Sequence, residues 1–154
     1  MGINTNKYNI LPEKTWFIYK VKAHPNHTDY SGVVWHGSYL IWMEEARVEY
    51  LRSLGLDYAD LVNLGFELPV VELSLRYHKA IRMGMTANIK TRIADIKGVR
   101  IHWDYQIESS ELEYLYVSGR VTLVGVDREK GKIVRRLPSV LEDALGKITN
   151  KPNF

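Results

Sequence analysis

From Val99 to Glu108 the chain alternates without a break: Val99, Ile101, Trp103, Tyr105 and Ile107 are apolar, and Arg100, His102, Asp104, Gln106 and Glu108 between and after them are polar. A strand sends successive side chains to opposite faces, so a run of this kind demands a sheet with one covered and one solvated face. Val71, Leu73, Leu75 and Tyr77 repeat the pattern against Glu72, Ser74, Arg76 and His78, and residues 87–93 and 115–123 behave similarly. WFIYKVK at 16–22, with Phe17, Tyr19 and Val21 on one side, reads as a first strand. A parallel sheet between helix layers is apolar on both faces, so the alternation predicts an antiparallel sheet. The connections IKGV and SSELE are short enough for hairpins.

Such a sheet must bury its apolar face against something. SYLIWMEEARVEYLRSL at 38–54 suits a helix, with Tyr39, Met43, Ala46 and Tyr50 at three- and four-residue steps and Gly55 as the stop. Its first turn, YLIWM, is apolar on every side, which implies that other elements wrap around this end. Residues 57–63 read as a short helical turn, and PSVLEDALGKI from Pro138 as a closing helix with proline in its first turn. The order is strand, helix, four strands, helix: an α+β class domain.

At 154 residues the chain fits one domain, 1–154. It has no cysteine, which excludes disulfides, thiolate metal sites and a cysteine nucleophile. Any chemistry uses oxygen or imidazole groups. The balance of 21 basic and 18 acidic residues leaves a formal +3, with basic clusters only near 79–82 and 130–136; this argues against nucleic acid and leaves anionic small molecules open. No apolar stretch approaches the ~18 residues of a membrane span, and MGINTNKYNILPEKTW lacks the order of a secretory signal. The expectation is a cytoplasmic protein that does not bind membranes. Asn6 stands where a myristoylation signal wants Ser or Thr.

The polar groups concentrate in HPNHTDYSGVVWHGSYL at 24–40. His24, His27 and Asp29 form an H-x2-H-x-D group of possible metal ligands, but no companion spacing follows later in the chain, and two exposed loop histidines are the plainer alternative. No metal or cofactor is expected. Asp29 and His36 bracket the junction of a strand and an apolar helix. Gly32 permits close backbone approach of a ligand, and free N–H groups at the helix start can receive developing negative charge. A carboxylate facing such donors has the parts for acyl transfer; as a cap or turn residue it has no such role.

HTDYSGVVWHGSYLIWMEEARVEYLRSLG closely resembles the signature of the 4-hydroxybenzoyl-CoA thioesterase family. That signature is an aspartate, two variable positions, Gly-Val-Val-Tyr/Trp-His/Tyr, then a Tyr, a Glu-x-Ala-Arg and a closing Leu-Gly. The match runs more loosely through 66–77 and Leu137-Pro138. The resemblance implies the hotdog fold, in which a curled antiparallel five-stranded sheet wraps a long central helix. It implies an acyl-CoA thioesterase with Asp29 as catalytic carboxylate and the backbone N–H of His36 serving the thioester oxygen. It also implies assembly as a homodimer or homotetramer with the active site between subunits. His27-Thr28-Asp29 departs from the Asp-Thr-Asp of many relatives, replacing an acid with a potentially cationic group.

Tyr30, Trp35 and Tyr39 are candidate walls for the acyl group, and Lys79, Arg82, Arg135 and Arg136 candidate partners of coenzyme A phosphates. Glu44 and Arg47 are assigned to structure as an ion pair three residues apart. Tyr114, Tyr116, Val124 and Val126 fall where strand faces would otherwise meet water, a pattern that suits a homo-oligomer. Two other functions fit the fold: acyl-CoA hydration or dehydration, whose His-and-acid signature on the helix is absent, and non-catalytic binding or sensing of acyl-CoA.

Overall fold

The computed structural model describes residues 16–111 and 114–149; the polar lead-in at 1–15 and the middle of the SSELE connection lie outside the described residues. The elements are β1 (Phe17–Lys22), α1 (Ser38–Ser53), α2 (Tyr58–Asn63), β2 (Phe66–Glu67), β3 (Val70–Tyr77), β4 (Thr86–Lys97), β5 (Arg100–Ser109), β6 (Leu115–Val124), β7 (Val126–Asp127), β8 (Lys132–Ile133) and α3 (Ser139–Thr149), with a 3-10 turn at Pro25–His27. β1, β4, β5, β6 and β3, in that spatial order, form one antiparallel sheet. The helix, the five long strands and the closing helix follow the order read from the alternation. A second sheet, β2-β7-β8, was not foreseen, because strands of two residues carry no period.

Registers such as Ile89↔Ile107, Ile93↔Trp103, Trp103↔Val121 and Ile107↔Val117 stack the alternating apolar residues on one face, where all of them are buried. α1 lies against that face over β1 and β4. Its buried residues Tyr39, Trp42, Met43, Ala46 and Tyr50 recur at helical steps, and the Tyr50 ring stacks on Phe17 at 4.8 Å and meets Trp103 edge-on at 6.1 Å. Each large side chain so buried contributes about 1.5–3 kcal/mol, enough in sum to fix which face of the helix turns inward. The other sheet face carries ion pairs such as Lys90–Glu108 at 3.2 Å and Arg120–Asp104 at 3.0 Å.

The expected exposure of strand-face residues is corrected in two places. Tyr116 and Val124 are buried. The β5–β6 register shifts between Ile107 and Glu108, passing over Tyr116 and taking it out of simple alternation; the chain after β6 folds back so that Val134 and Leu137 crowd Gly125. Conversely, Val71, Leu73 and Tyr77 on the apolar side of β3 are 47%, 42% and 49% exposed. Among the described residues β3 is an edge strand paired only with β6, and α1 lies over β1 and β4 toward the other edge of the sheet. Leu40 and Ile41, in the all-apolar first turn of α1, are exposed as well. Among the described residues no helix is long and apolar enough to cross a membrane.

Candidate active site

The segment between β1 and α1 closes on itself before the helix begins. Thr28 bridges to Val34 and Val33 to Arg82. The carbonyl of His27 accepts both the Trp35 N–H at 2.9 Å and the Ser38 hydroxyl at 2.8 Å, tying the loop's first residues to the head of α1. Asp29 lies two residues from that knot, half-buried. Its N–H donates to Val33 C=O at 2.9 Å, its C=O accepts from Gly32 N–H at 3.0 Å, and its Oδ1 accepts from Ser31 N–H at 2.8 Å. One carboxylate oxygen is thereby oriented by the turn, and Oδ2 has no protein donor among the described residues. The turn role and an acid/base role are compatible in the same side chain.

Gly32 has φ +76°, and a Cβ there meets nothing within 4 Å. Its lack of a side chain therefore serves the left-handed turn, and the chain itself brings nothing close enough to demand it. Gly37, not singled out from the sequence, is the sterically constrained glycine: the Trp35 indole lies over its α carbon, where a side chain would collide. A glycine followed by serine at a helix start was the only available signal.

Gly37 caps α1 without a side-chain hydrogen bond. Trp35 C=O accepts from Ser38 N–H at 2.9 Å, and His36 C=O accepts from the Tyr77 hydroxyl at 2.9 Å. Among the described residues the N–H groups of His36 and Gly37 have no acceptor. They are the unsatisfied donors that a helix N-terminus offers, reinforced by its dipole. The structure thus brings Asp29, Gly32, the His36 backbone and Trp35 into one loop at the tip of α1.

The remaining candidates separate. The His36 side chain is exposed, its ring tilted against Trp35 at 4.9 Å, so only its backbone faces the loop's chemistry. Tyr30 is fully exposed and Trp35 is 48% exposed. Tyr39 is buried, its ring between Trp42 at 5.7 Å and Tyr77 at 5.6 Å; burial pushes its phenol up. Lys79 lies over the Tyr114 ring at 3.7 Å, Arg136 pairs with Glu142 at 3.7 Å, and Arg135 is exposed; only Arg82 adjoins the Asp29 loop.

His24 and His27 stand 5.6 Å apart, ring centre to ring centre. His27 Nδ1 accepts the His24 N–H at 2.9 Å and its ring edges onto Trp42 at 5.1 Å. Among the described residues no three His, Asp or Glu side chains are grouped to hold a metal ion. Two clefts of about 290 Å³, one among Leu54, Asp60, Asp143 and Lys147 and the other among Tyr58, Phe66 and Leu68, lie away from Asp29.

Glu44 and Arg47 form the expected pair at 3.6 Å. Arg47 is nearly fully buried and Glu44 is not; the guanidinium donates to the Tyr105 hydroxyl at 3.3 Å, which itself donates to Met43 C=O at 2.9 Å, and the Tyr58 phenol lies nearby. This buried group ties α1 to β5, far along the helix from Asp29.

Residues 23–145 match the family described as the thioesterase-like superfamily. The chain is 56% identical over 146 residues to a Synechocystis protein named "Putative esterase sll0410", covering 95% of this chain and 87% of that one. It is 30% identical over 124 residues to the Escherichia coli acyl-CoA thioester hydrolase YbgC, covering 80% of this chain and 91% of that one. Among solved structures, the DHNA-CoA thioesterase of Staphylococcus aureus superposes with a TM-score of 0.81 at 29% identity, covering 88% and 91% of the two chains. The curled five-stranded sheet against one long helix and the matched length together show that this chain belongs to the thioesterase-like superfamily of hotdog enzymes.

Proposed function

We propose that the chain hydrolyses an acyl-CoA thioester to free acid and coenzyme A, with Asp29 as the reacting carboxylate and the N–H groups of His36 and Gly37 as oxyanion donors. The observation that carries this reading is a half-buried carboxylate, one oxygen held by Ser31 N–H, in the same loop as two N–H groups at the tip of a helix that have no acceptor among the described residues. Named activities of relatives similar over four-fifths or more of this chain supply the substrate class.

In the general-base route Asp29 takes a proton from water as the water oxygen attacks the thioester carbon; the tetrahedral intermediate then collapses, the C–S bond breaks, and coenzyme A leaves as the thiol with the proton that Asp29 returns. In the nucleophilic route Asp29 itself attacks, the coenzyme A thiolate leaves, and water then cleaves the mixed anhydride, restoring the carboxylate. Both routes put negative charge on the former carbonyl oxygen, where fixed N–H donors stabilise it more in the transition state than in the ground state. Trp35, in the loop itself, is the candidate wall for the acyl group, and Arg82, whose backbone bridges to Val33, is the candidate cation for a coenzyme A phosphate.

The same reading makes the enzyme a homo-oligomer. Among the described residues, Val71, Leu73 and Tyr77 on the edge strand β3, and Leu40 and Ile41 on the helix, leave apolar side chains open on a single chain. A second copy docked edge to edge along β3 extends the sheet, covers them and supplies a wall near Tyr30 and Trp35. The test is release of free thiol from a panel of short, long and aromatic acyl-CoAs. Turnover of at least one at well above the uncatalysed rate is expected; tight binding without thiol release across the panel turns the assignment to a binding protein.

A further inference from the structure

We propose that Tyr77 is a positioning residue for thioester hydrolysis: its hydroxyl holds the His36–Gly37 peptide so that the Gly37 N–H stays aimed at the reacting oxygen. The inference rests on the reading of Asp29 and the helix tip given above.

Two peptides precede the first turn of α1, and both are held by their carbonyls. Trp35 C=O is held by Ser38 N–H at 2.9 Å, a bond internal to the helix entry. His36 C=O lies before the cap residue, outside the helix's own hydrogen bonds, which Gly37 C=O enters by accepting from Leu40 N–H at 3.1 Å. The donor it has instead is the Tyr77 hydroxyl, 41 positions along the chain at the end of β3. With no cis peptide among the described residues, the Gly37 N–H points opposite to that carbonyl. Fixing the oxygen therefore fixes the donor. Accepting a bond at the carbonyl also polarises the peptide and strengthens its N–H as a donor.

The clamp is placed by packing. The Tyr77 ring lies 5.6 Å from the buried Tyr39 ring, and Tyr77 pairs with Val117 across β3–β6. Gly37 needs such a restraint more than another residue, because it has no side chain to restrict its backbone and carries no side-chain cap. The first peptide keeps its bond in any variant that forms the helix; the second depends on one phenol.

Tyr77→Phe keeps the ring and removes the hydroxyl. Because the Gly37 N–H remains and only its restraint is lost, the expected cost is smaller than the ~10²–10³-fold fall for deleting an oxyanion donor. We expect kcat about tenfold lower, KM within about twofold of wild type, and unfolding midpoint and solution mass unchanged, measured with the acyl-CoA that wild type turns over fastest. Asp29→Asn, assayed beside it, separates the two ideas. Inactive Asp29→Asn with full kcat in Tyr77→Phe overturns the clamp and leaves the Asp29 reading standing. A kcat loss in Tyr77→Phe matched by lower melting temperature or smaller mass also overturns it, because the phenol then only holds the fold or assembly. Active Asp29→Asn overturns both.

Discussion

Replacing Tyr105 by Phe removes one oxygen from the core and strands a charge. Tyr105 Oη accepts from Arg47 Nη1 at 3.3 Å and donates to Met43 C=O at 2.9 Å. Arg47 then keeps Glu44 at 3.6 Å, whose carboxylate is mostly in solvent, and the neighbouring Tyr58 hydroxyl, which lies outside hydrogen-bond geometry, while its Nε already lacks a partner among the described residues. A hydrogen bond to a charged group contributes ~1.5–3 kcal/mol and a neutral one ~0.5–1.5 kcal/mol. The lost Met43 contact belongs to the lower range, since that carbonyl lies inside α1 and keeps its helical donor. The sum is about 2–4.5 kcal/mol, or a fall of about 4–18 °C in Tm at this chain length. Arg47→Met removes the charge along with its need for partners, so it should cost under ~1 kcal/mol, and the double variant should sit well above the sum of a stranded charge and a deleted one. Urea unfolding at one fixed protomer concentration measures all three. Tyr105→Phe within ~0.5 kcal/mol of wild type would refute the claim that this hydroxyl is what makes the buried guanidinium tolerable.

Leu73→Glu sets like charges opposite each other if two copies meet along β3, which costs several kcal/mol; light scattering should show a monomer, and an unchanged oligomer mass contradicts the proposed interface. Tyr19 donates to Glu45 Oε2 at 2.6 Å, and that bond, then burial, then the charges of Glu45 and Glu49 push its phenol up to about 12 from 10.0. A folded value above the unfolded one means the contribution is intact below pH 10 and disappears as pH climbs from 10 to 12. The stability of Tyr19→Phe should fall less steeply over that window; parallel curves of unfolding midpoint against pH count against the bond.

Helix α1 was legible because Tyr39, Met43, Ala46 and Tyr50 mark one side at the right period, and all four are buried. The long strands were legible because Val99 to Glu108 and its relatives alternate. Alternation, however, tells which face is apolar and not what covers it. Val71, Leu73 and Tyr77 keep the pattern while lying open, because α1 sits over β1 and β4 toward the other edge of the sheet. A single-residue register shift at Tyr116 was invisible for the same reason: it depends on the partner strand. At the site, Asp29 and His36 were marked by their place at a strand–helix junction, but an aspartate before a helix is ordinarily a turn or cap, and the catalytic assignment came from the resemblance to a family signature. The Tyr77 hydroxyl and its carbonyl partner are 41 positions apart, and Tyr77 read simply as the last apolar step of a strand. Neither local pattern nor spacing encodes a contact that exists only once β3 lies beside the helix tip.

The most direct measurement is the rate of thiol release by Asp29→Asn. Asparagine retains an oxygen for the Ser31 N–H, so the turn and the fold persist while the negative charge and the proton acceptor are gone. The account predicts a fall of at least ~10²–10⁴-fold with unchanged unfolding midpoint, more if Asp29 is the nucleophile. Turnover within tenfold of wild type would contradict it.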